Sequence, residues 1–384
     1  MAVNPFTPGR TVDPQFFAGR ESEIDRFTMF LKSTRDGNPM NLAVLGERGI
    51  GKSSLLRKCE SLAKKERCVV VRIDLDASVD SIDSLIYQIL TGIKKEGSLY
   101  SKLFSLSEKI RSFFDEYQAS IGLLGSSLQA TKKVATSSLQ ARDELKRIWD
   151  NISQDVPAVI IMMDEAEQLE EIEGILQFLR NIFGRLSEER CGYMLILSGK
   201  LTLFKQIKKI HSPLARFFNP ITLKELTGEE SIEAIDKPLS DSPYKMTPEV
   251  KDLIADESEG HPYIIQLFGY YLCENAVKAN INKEVYKACF PMILDGLAGQ
   301  LFEDFYRSAS SAEQQVLRII AQSKDRVLTV SDIAEKMGKE SKQITYIFNR
   351  LYEKDCLRKI NRGKYMLFHG LFREYLKKCD PAIS

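Results

Sequence analysis

The chain has 384 residues, a length that favours two or three domains over one. With 43% hydrophobic and 28% charged residues, the composition excludes a wholly disordered chain, and the longest unbroken apolar run is too short to span a membrane. The formal net charge of +1 excludes a general polycation.

The charge is unevenly distributed. Residues 311–384 contain 15 Lys and Arg against 9 Asp and Glu, whereas the remainder is slightly acidic, which indicates a C-terminal module that binds a polyanion. The seven cysteines form no C-x-x-C pair and the three histidines are dispersed, which disfavours a disulfide scaffold and a zinc site. The N-terminus has no basic and apolar signal pattern. We therefore expect a cytoplasmic protein with reduced thiols and no membrane contact.

Strands and helices alternate over the first 200 residues. The pattern predicts helices over 22–32, 52–65, 81–95, 144–152 and 174–186, and strands over 42–45, 69–73, 158–163 and 193–197. This order predicts an α/β fold with a parallel sheet and helices on both faces. Residues 118–140 are rich in Ser, Ala, Gln and Gly and are interpreted as a loosely ordered insertion that is at best weakly helical. After Thr227 the strands stop, and an all-helical segment is expected to about Ala279.

A phosphate-binding loop follows the first strand. Its residues are Gly46, Glu47, Arg48, Gly49, Ile50, Gly51, Lys52 and Ser53, in the pattern G-x-x-x-x-G-K-[ST], and Ser54 comes next. The glycines let main-chain N–H groups converge on phosphate oxygens, and the helix that opens there adds its positive end. Lys52 is expected to reach the β and γ phosphates, and the Ser53 hydroxyl to bind Mg²⁺. The alternative is a glycine turn between a strand and a helix.

Two carboxylates end the buried strand 158–163. Asp164 is expected to hold Mg²⁺, and Glu165 to orient and deprotonate the attacking water. The alternative is a solvated strand end, since further acidic residues follow. Ser198, after the strand 193–197, is a candidate to hydrogen-bond the γ-phosphate or the water, with an ordinary turn serine as the alternative.

The C-terminal module has the pattern of a winged helix. A capping box is predicted at Ser311, and helices begin there, at Thr329 and at Ser341. The third helix carries an apolar stripe and, away from it, Lys342, Tyr346 and Arg350. A hairpin over residues 357–368 carries Arg358, Lys359, Arg362 and Lys364, which suit contacts with DNA phosphates. The alternative is a solvated basic face.

These motifs together resemble P-loop ATPases of the AAA+/STAND group, and more narrowly archaeal-type ATPases related to origin-recognition initiators. The segment from Asn4 to Pro8, with Phe6, and the Gly19-Arg20-Glu21 sequence resemble the part that wraps the adenine in that group. Gly260-His261-Pro262 resembles the G-x-P turn of a helical lid. The resemblance implies a P-loop ATPase domain over 1–226, a lid over 227–295 and a winged helix over 296–384. It also implies ATP, ADP and Mg²⁺ as ligands.

The lid turn lacks the sensor arginine that AAA+ proteins usually carry. The resemblance places an arginine finger at Arg216, with Arg185, Arg190 and a plain surface arginine as alternatives, and this role would require a homo-oligomer. Two functions remain open. One is an initiator-like ATPase whose winged helix contacts double-stranded DNA. The other is a STAND-like regulatory switch that acts on a protein partner, in which the winged helix clamps the nucleotide domain. The resemblance places His369 where it could reach a bound diphosphate, and the alternative is an ordinary histidine at a strand end.

Overall fold

The computed structural model describes residues 3–76, 78–97, 127–201, 203 and 216–379. The chain forms two compact units. The first, which we call the helical unit, comprises Met1–Gly19, Glu47–Gly51 and Glu225–Ser384. The second, which we call the sheet unit, comprises Arg20–Gly46 and Lys52–Lys224.

The sheet unit is built on five parallel strands in the order β2-β3-β4-β1-β5. The strands are β1 (Asn41–Leu45), β2 (Val69–Asp74), β3 (Val159–Asp164), β4 (Tyr193–Gly199) and β5 (Phe218–Thr222). The helices are α1 (Glu21–Arg35), α2 (Lys52–Lys65), α3 (Ile82–Gly97), α4 (Ser127–Ile152) and α5 (Ile175–Glu188). Every residue of β3 and β4 is buried, so both faces of the sheet are covered, as continuous apolar runs require. The predicted α/β class is confirmed.

Two features of the sheet unit differ from the sequence-based prediction. Residues 127–140 continue α4 as a helix, where a loosely ordered insertion was expected, and residues 118–126 lie outside the described residues. The strand β5 was not predicted because it contains Pro220 and alternates in burial. Proline lacks the N–H that an inner strand needs, and β5 lies at the edge of the sheet, where proline is tolerated.

The helical unit contains α6 (Gly228–Ser240), α7 (Pro248–Glu257), α8 (Pro262–Glu274), α9 (Lys283–Leu297) and α10 (Glu303–Ser308). The expectation that strands stop after Thr227 is wrong in one detail, because two short strands, β6 (Lys245–Met246) and β7 (Asn280–Ile281), pair in parallel. The N-terminal segment packs on α8. There the ring of Phe6 is buried so tightly against Gly269 that a Cβ at that glycine would come within 2.4 Å of it.

The C-terminal module continues the helical unit. It consists of α11 (Ser311–Gln322), β8 (Val327–Thr329), α12 (Val330–Met337), α13 (Ser341–Glu353), β9 (Leu357–Asn361), β10 (Lys364–Leu367) and α14 (Gly370–Lys378). The three strands form an antiparallel sheet in the order β8-β10-β9. The capping box of α11 uses Ser310 and Glu313, one residue earlier than predicted, and Gly338 ends α12 with φ +60°.

One apolar core runs through the whole helical unit. It includes Phe302, Phe305, Phe368 and Phe372, whose rings contact one another across the helices of the C-terminal module and the segment before it. The predicted domain boundary at residues 295 and 296 falls inside α9. The two segments are therefore packed as one body.

Six of the seven cysteines are buried, all seven are free thiols, and Cys379 is half-buried. Burial raises the pKa of the Cys68 and Cys191 thiols to about 11 and of Cys273 and Cys356 to about 12. Among the described residues, none of the helices combines the length and the apolar character that a bilayer crossing needs.

Candidate functional site

The carboxyl ends of three neighbouring strands meet at one edge of the sheet. Because β4 lies between β1 and β3, it places Ser198 between the start of the phosphate-binding loop and the acidic strand end at Asp164. The N–H of Gly46 donates to the carbonyl of Gly199 at 3.2 Å, which fixes the beginning of the loop to β4. Ligands of open α/β sheets bind at such an edge.

The hydroxyl of Ser198 is fully buried and has no hydrogen-bond partner among the described residues. Leaving a buried hydroxyl unbonded costs roughly 1–3 kcal/mol, so such a group calls for an explanation. Its position between Gly46 and Asp164 supplies one, because a phosphate oxygen or a water there would accept a hydrogen bond from it. The donor set therefore fits a bound nucleotide.

Asp164 is 5% exposed and faces a cation from the neighbouring strand. Arg72 on β2 places Nη2 3.3 Å from Oδ2 of Asp164, and the other carboxylate oxygen accepts from the N–H of Glu165 at 3.1 Å. The Glu165 side chain is exposed, and its backbone is left-handed with φ +55°. The sharp turn after Asp164 thus holds one carboxylate inward and leaves the other open to solvent.

The residues after the loop lie at the start of α2. Lys52 opens that helix, and its Nζ donates to the carbonyl of Gly46 at 3.1 Å, so the ammonium folds back over the loop. Ser53 and Ser54 follow in the first turn and are half-buried. Mg²⁺ in such sites is held by one or two carboxylates together with substrate phosphates and waters. Ser53 and Asp164 provide an oxygen set of that kind.

The tip of the loop, Glu47–Gly51, belongs to the helical unit and contacts the turn before α8. Nε2 of His261 lies 3.2 Å from the carbonyl oxygen of Arg48. Gly49 and Gly51 have φ +77° and +97°, which L-residues rarely adopt. A Cβ at Gly51 would lie 4.0 Å from Cγ of Pro262, so this turn is in contact distance of the glycines.

An arginine from the C-terminal module also reaches the loop tip. Nε of Arg358, on β9, donates to Glu47 at 2.9 Å, and its Nη1 lies 2.7 Å from the carboxylate of Glu225. The guanidinium stacks over Phe368 at 5.0 Å and is only 14% exposed. Burial raises the pKa of Glu47, and this arginine opposes the rise. Arg358 is therefore committed to two carboxylates in this arrangement.

His369 joins the C-terminal module to the helical segment before it. Its Nδ1 accepts from the N–H of Leu371 at 3.1 Å, so the proton must be on Nε2, which lies 2.8 Å from the carbonyl of Ser258. Burial lowers the pKa of His369, which keeps the ring neutral at physiological pH. The side chain caps α14 and ties it to the end of α7.

Of three further predicted site residues, Phe6 and Arg20 are buried and Arg216 is exposed. Phe6 is a core residue of the helical unit, and its ring packs on α8. Arg20 is 6% exposed, and its guanidinium donates to the carbonyl of Lys224 within the sheet unit. These contacts position the chain, and a role of Phe6 and Arg20 in nucleotide binding stays a prediction. Arg216 is exposed in the sheet unit, as a residue that reaches another molecule must be.

Apart from Arg358, the predicted DNA-binding residues of the C-terminal module are exposed, but Arg350 is bonded to other residues of that module. Lys342, Tyr346, Lys359, Arg362 and Lys364 are exposed on α13 and the hairpin. Arg350 is exposed but bonded, since its Nε lies 2.7 Å from Glu313 and its Nη1 3.3 Å from the Tyr346 hydroxyl. The hairpin is fixed to α13 because the Tyr365 hydroxyl donates to Asn349 at 3.4 Å.

Sequence analysis missed two residues that shape the site. Arg72 carries no motif and pairs with Asp164 only because β2 and β3 are neighbours in register. Glu167, interpreted as a solvated residue, accepts from the N–H of Lys200 at 3.3 Å and so supports the turn after Ser198. The sequence signal that could have identified Glu167 is its position two residues after the strand-end carboxylates.

Comparison with known proteins gives two family matches and one curated relative. Residues 17–197 match the AAA ATPase domain, and residues 299–376 match a domain of unknown function (DUF8462). The relative is described as an uncharacterized HTH-type transcriptional regulator of Methanocaldococcus jannaschii. It is 25% identical over 392 residues, which cover 96% of this chain and 90% of the relative.

Two solved structures share the fold. The Walker-type ATPase of Pyrococcus abyssi matches with a TM-score of 0.62 at 17% identity, over 94% of this chain and 96% of that one. The ORC2 protein of Aeropyrum pernix, solved in ADPNP–ADP complexes, matches with a TM-score of 0.61 at 13% identity, over 94% of this chain and 93% of that one.

Proposed function

We propose that this chain binds ATP with Mg²⁺ and hydrolyses the terminal phosphate, because residues 17–197 match the AAA ATPase domain. The observation that carries this proposal is the alignment of β1, β4 and β3 at one sheet edge. That edge brings together the start of the phosphate-binding loop, the unbonded hydroxyl of Ser198 and the buried carboxylate of Asp164.

Each residue has a chemical role in this proposal. The loop main chain and Lys52 bind the phosphates, and Ser53 and Asp164 hold Mg²⁺, which would neutralise charge on the phosphate oxygens. Glu165, exposed at the strand end, accepts the proton of the attacking water. Ser198 donates its hydroxyl hydrogen to the water or to the γ-phosphate. Pro262 lies at the loop tip and stays in the proposed set of nucleotide contacts.

We also propose that the C-terminal module is a winged helix that contacts duplex DNA. The exposed residues Lys342, Tyr346, Lys359, Arg362 and Lys364 supply positive charge and one aromatic ring on α13 and the hairpin. Phosphate contacts release counterions, so the affinity should fall steeply with salt. The description of the Methanocaldococcus jannaschii relative as an HTH-type regulator supports this assignment. We leave Arg358 out of the DNA surface because it is half-buried and paired with two carboxylates.

The experiment is a titration with a fluorescent ATP analogue and with labelled duplex DNA across a salt series, in ATP and in ADP. Lys52→Ala should lose most of the nucleotide affinity while circular dichroism stays unchanged. Arg362→Ala should weaken DNA binding for all sequences and lower the log–log salt slope by about one unit. The matched control is Lys378→Ala, an exposed basic residue on α14 that should leave both affinities unchanged.

Arg216 is proposed as a finger that completes the site of a neighbouring copy. If so, Arg216→Ala should hydrolyse ATP slowly with unchanged affinity, and mixing it with Lys52→Ala should restore part of the activity. A wild type that stays monomeric on ATP and shows no such rescue would contradict this role.

The second candidate function is a nucleotide-dependent switch that acts on a protein partner. The observation that favours it is the pair of hydrogen bonds from Arg358 and His369, which tie the C-terminal module to the loop tip and to the end of α7. Absence of DNA binding at low salt, with intact ATP binding, would favour this function over the first.

A further inference from the structure

The carboxylates of Glu47 and Glu225 share one half-buried cation. Both lie within hydrogen-bonding distance of the Arg358 guanidinium, Glu47 through Nε at 2.9 Å and Glu225 through Nη1 at 2.7 Å. Asp355 adds a further negative charge near Glu47, and burial together with the charges of Glu225 and Asp355 raises the pKa of Glu47. The three-residue group of Glu47, Arg358 and Glu225, which we call the triad, therefore carries a net negative charge.

The triad includes a residue of the phosphate-binding loop. Glu47 is the second residue of that loop, and its partner in the C-terminal module is 311 residues further along the chain. The arginine is held in place by its stacking over Phe368, whose ring lies in the core of the helical unit. An arginine fixed on a rigid core determines where a flexible carboxylate on a glycine-rich loop can lie.

We propose that Arg358 is a positioning residue of the phosphate-binding loop, through which the C-terminal module sets the affinity for the nucleotide triphosphate. This inference rests on the proposed nucleotide site. Without the guanidinium, the carboxylates of Glu47 and Glu225 would repel each other and the phosphates that enter the loop. Because ATP carries one more negative charge than ADP, its affinity depends more strongly on that cation.

The orientation of β9 gives this residue its distinct role. Successive side chains of a strand point to opposite faces, so Arg358 faces the loop tip while Lys359, the next residue, is exposed. The strand thereby presents one basic residue inward and its neighbour outward. Arg358 therefore contacts the loop, whereas the exposed Lys359 can contact a partner.

The test measures the affinities of fluorescent ATP and ADP analogues for purified full-length variants at low and at high salt. Arg358→Met should weaken ATP binding about tenfold at low salt and ADP binding less, and the difference should shrink as salt screens the carboxylates. Arg358→Lys, which keeps the charge, should retain most of the preference for ATP. The control is Lys283→Met, which breaks an ion pair with Glu249 in the same unit, between the first turns of α9 and α7.

A charge rescue separates positioning from a merely structural role. Adding Glu225→Gln to Arg358→Met removes one repelling carboxylate. The double variant should bind ATP about threefold more tightly than Arg358→Met. Unchanged ATP affinity in a folded Arg358→Met would overturn the inference. So would equal losses for ATP and ADP that Glu225→Gln does not restore. If the wild type binds neither nucleotide, the proposed nucleotide site itself is wrong. This outcome differs from failure of the inference, because then no variant would bind ATP or ADP.

Discussion

Nε2 of His261 lies 3.2 Å from the main-chain carbonyl oxygen of Arg48, so the turn before α8 and the phosphate-binding loop are in direct contact. Because a carbonyl only accepts, the imidazole must carry its proton on Nε2. The contact closes over Gly49, where a Cβ would lie 2.8 Å from Cε1 of His261 and 3.0 Å from Cβ of Tyr263. The space between the loop and the turn at position 49 therefore admits only a residue without a side chain.

Gly49→Ala should weaken nucleotide binding and lower the free energy of unfolding by ~1–3 kcal/mol. Two effects combine, because φ is +77° there and the added methyl would displace His261. Thermal unfolding and titration with a fluorescent ATP analogue measure the two losses. The control is Gly184→Ala, in the interior of α5 with open space around it, which should stabilise by about 0.5–1 kcal/mol. Wild-type affinity in Gly49→Ala would show that the loop tolerates movement of the turn.

Ser198→Ala should slow ATP turnover without a loss of stability. Removal of one pre-positioned donor typically costs a hundredfold or more, and we expect about tenfold to a hundredfold here. Because the hydroxyl has no partner among the described residues, its loss removes a buried unbonded group. Ser231→Ala is the matched control, since that buried hydroxyl donates to Thr227 at 2.8 Å and its loss should cost about 1 kcal/mol with normal turnover. A destabilised Ser198→Ala with wild-type turnover would contradict this assignment.

Glu165→Gln should bind ATP normally and lose at least about a hundredfold in single-turnover hydrolysis, because an amide cannot accept the proton of the water. Asp164→Asn should instead weaken the Mg²⁺ dependence of nucleotide binding. Glu171→Gln, exposed on the turn that follows the strand, is the control and should hydrolyse ATP at the wild-type rate. Normal hydrolysis by Glu165→Gln would place the base elsewhere.

Glu313 should make the stability of the helical unit pH-dependent. Burial raises the pKa of its carboxyl, but hydrogen bonds from Lys354, the main chain of Ser310 and Arg350 lower it from 4.5 to about 2. A carboxyl whose pKa is lower in the folded state stabilises fully above its unfolded pKa and loses this effect as the pH falls toward the folded value. The stabilisation should therefore disappear between about pH 5 and pH 2.

Glu313→Gln tests this directly. At pH 7 it should lower the free energy of unfolding by about 2 kcal/mol, since hydrogen bonds to charged partners are lost. Between pH 5 and pH 2 it should lose less stability than the wild type, as measured by urea unfolding. Glu353→Gln, exposed on α13, is the control and should follow the wild-type pH profile. Parallel profiles for Glu313→Gln and the wild type would show that Glu313 does not titrate as expected.

Sequence patterns predict the structure best where neighbouring residues along the chain determine it. The apolar run ending at Asp164 and the glycine spacing before Lys52 specify a buried strand and a tight loop by themselves. Capping was predicted at Ser311 and found at Ser310, because both serines precede acidic or amide residues at the right spacing and only packing decides between them. The strand β5 contradicts its local composition, since Pro220 is acceptable only at an edge that the sequence does not reveal.

The sequence-based predictions differ from the structure at residues whose contact partners are far away along the chain. The pattern correctly places Arg358 on a hairpin but assigns it to DNA phosphates, because its inward direction depends on Glu47, 311 positions away. Phe6 likewise follows a short motif, whereas its burial depends on the close approach of Gly269. A residue type indicates which contact is possible, and the three-dimensional arrangement decides which one forms.

The burial of the thiols gives each unit its own chemical reporters. Cys59, Cys68 and Cys191 lie in the sheet unit, and Cys273, Cys289 and Cys356 in the helical unit, all buried with raised pKa values. Since the thiolate is the reactive form, alkylating reagents should modify half-buried Cys379 first and the others only after local opening. Mass spectrometry of alkylation at increasing urea would therefore follow the opening of the two units separately, in the native sequence and without engineered labels.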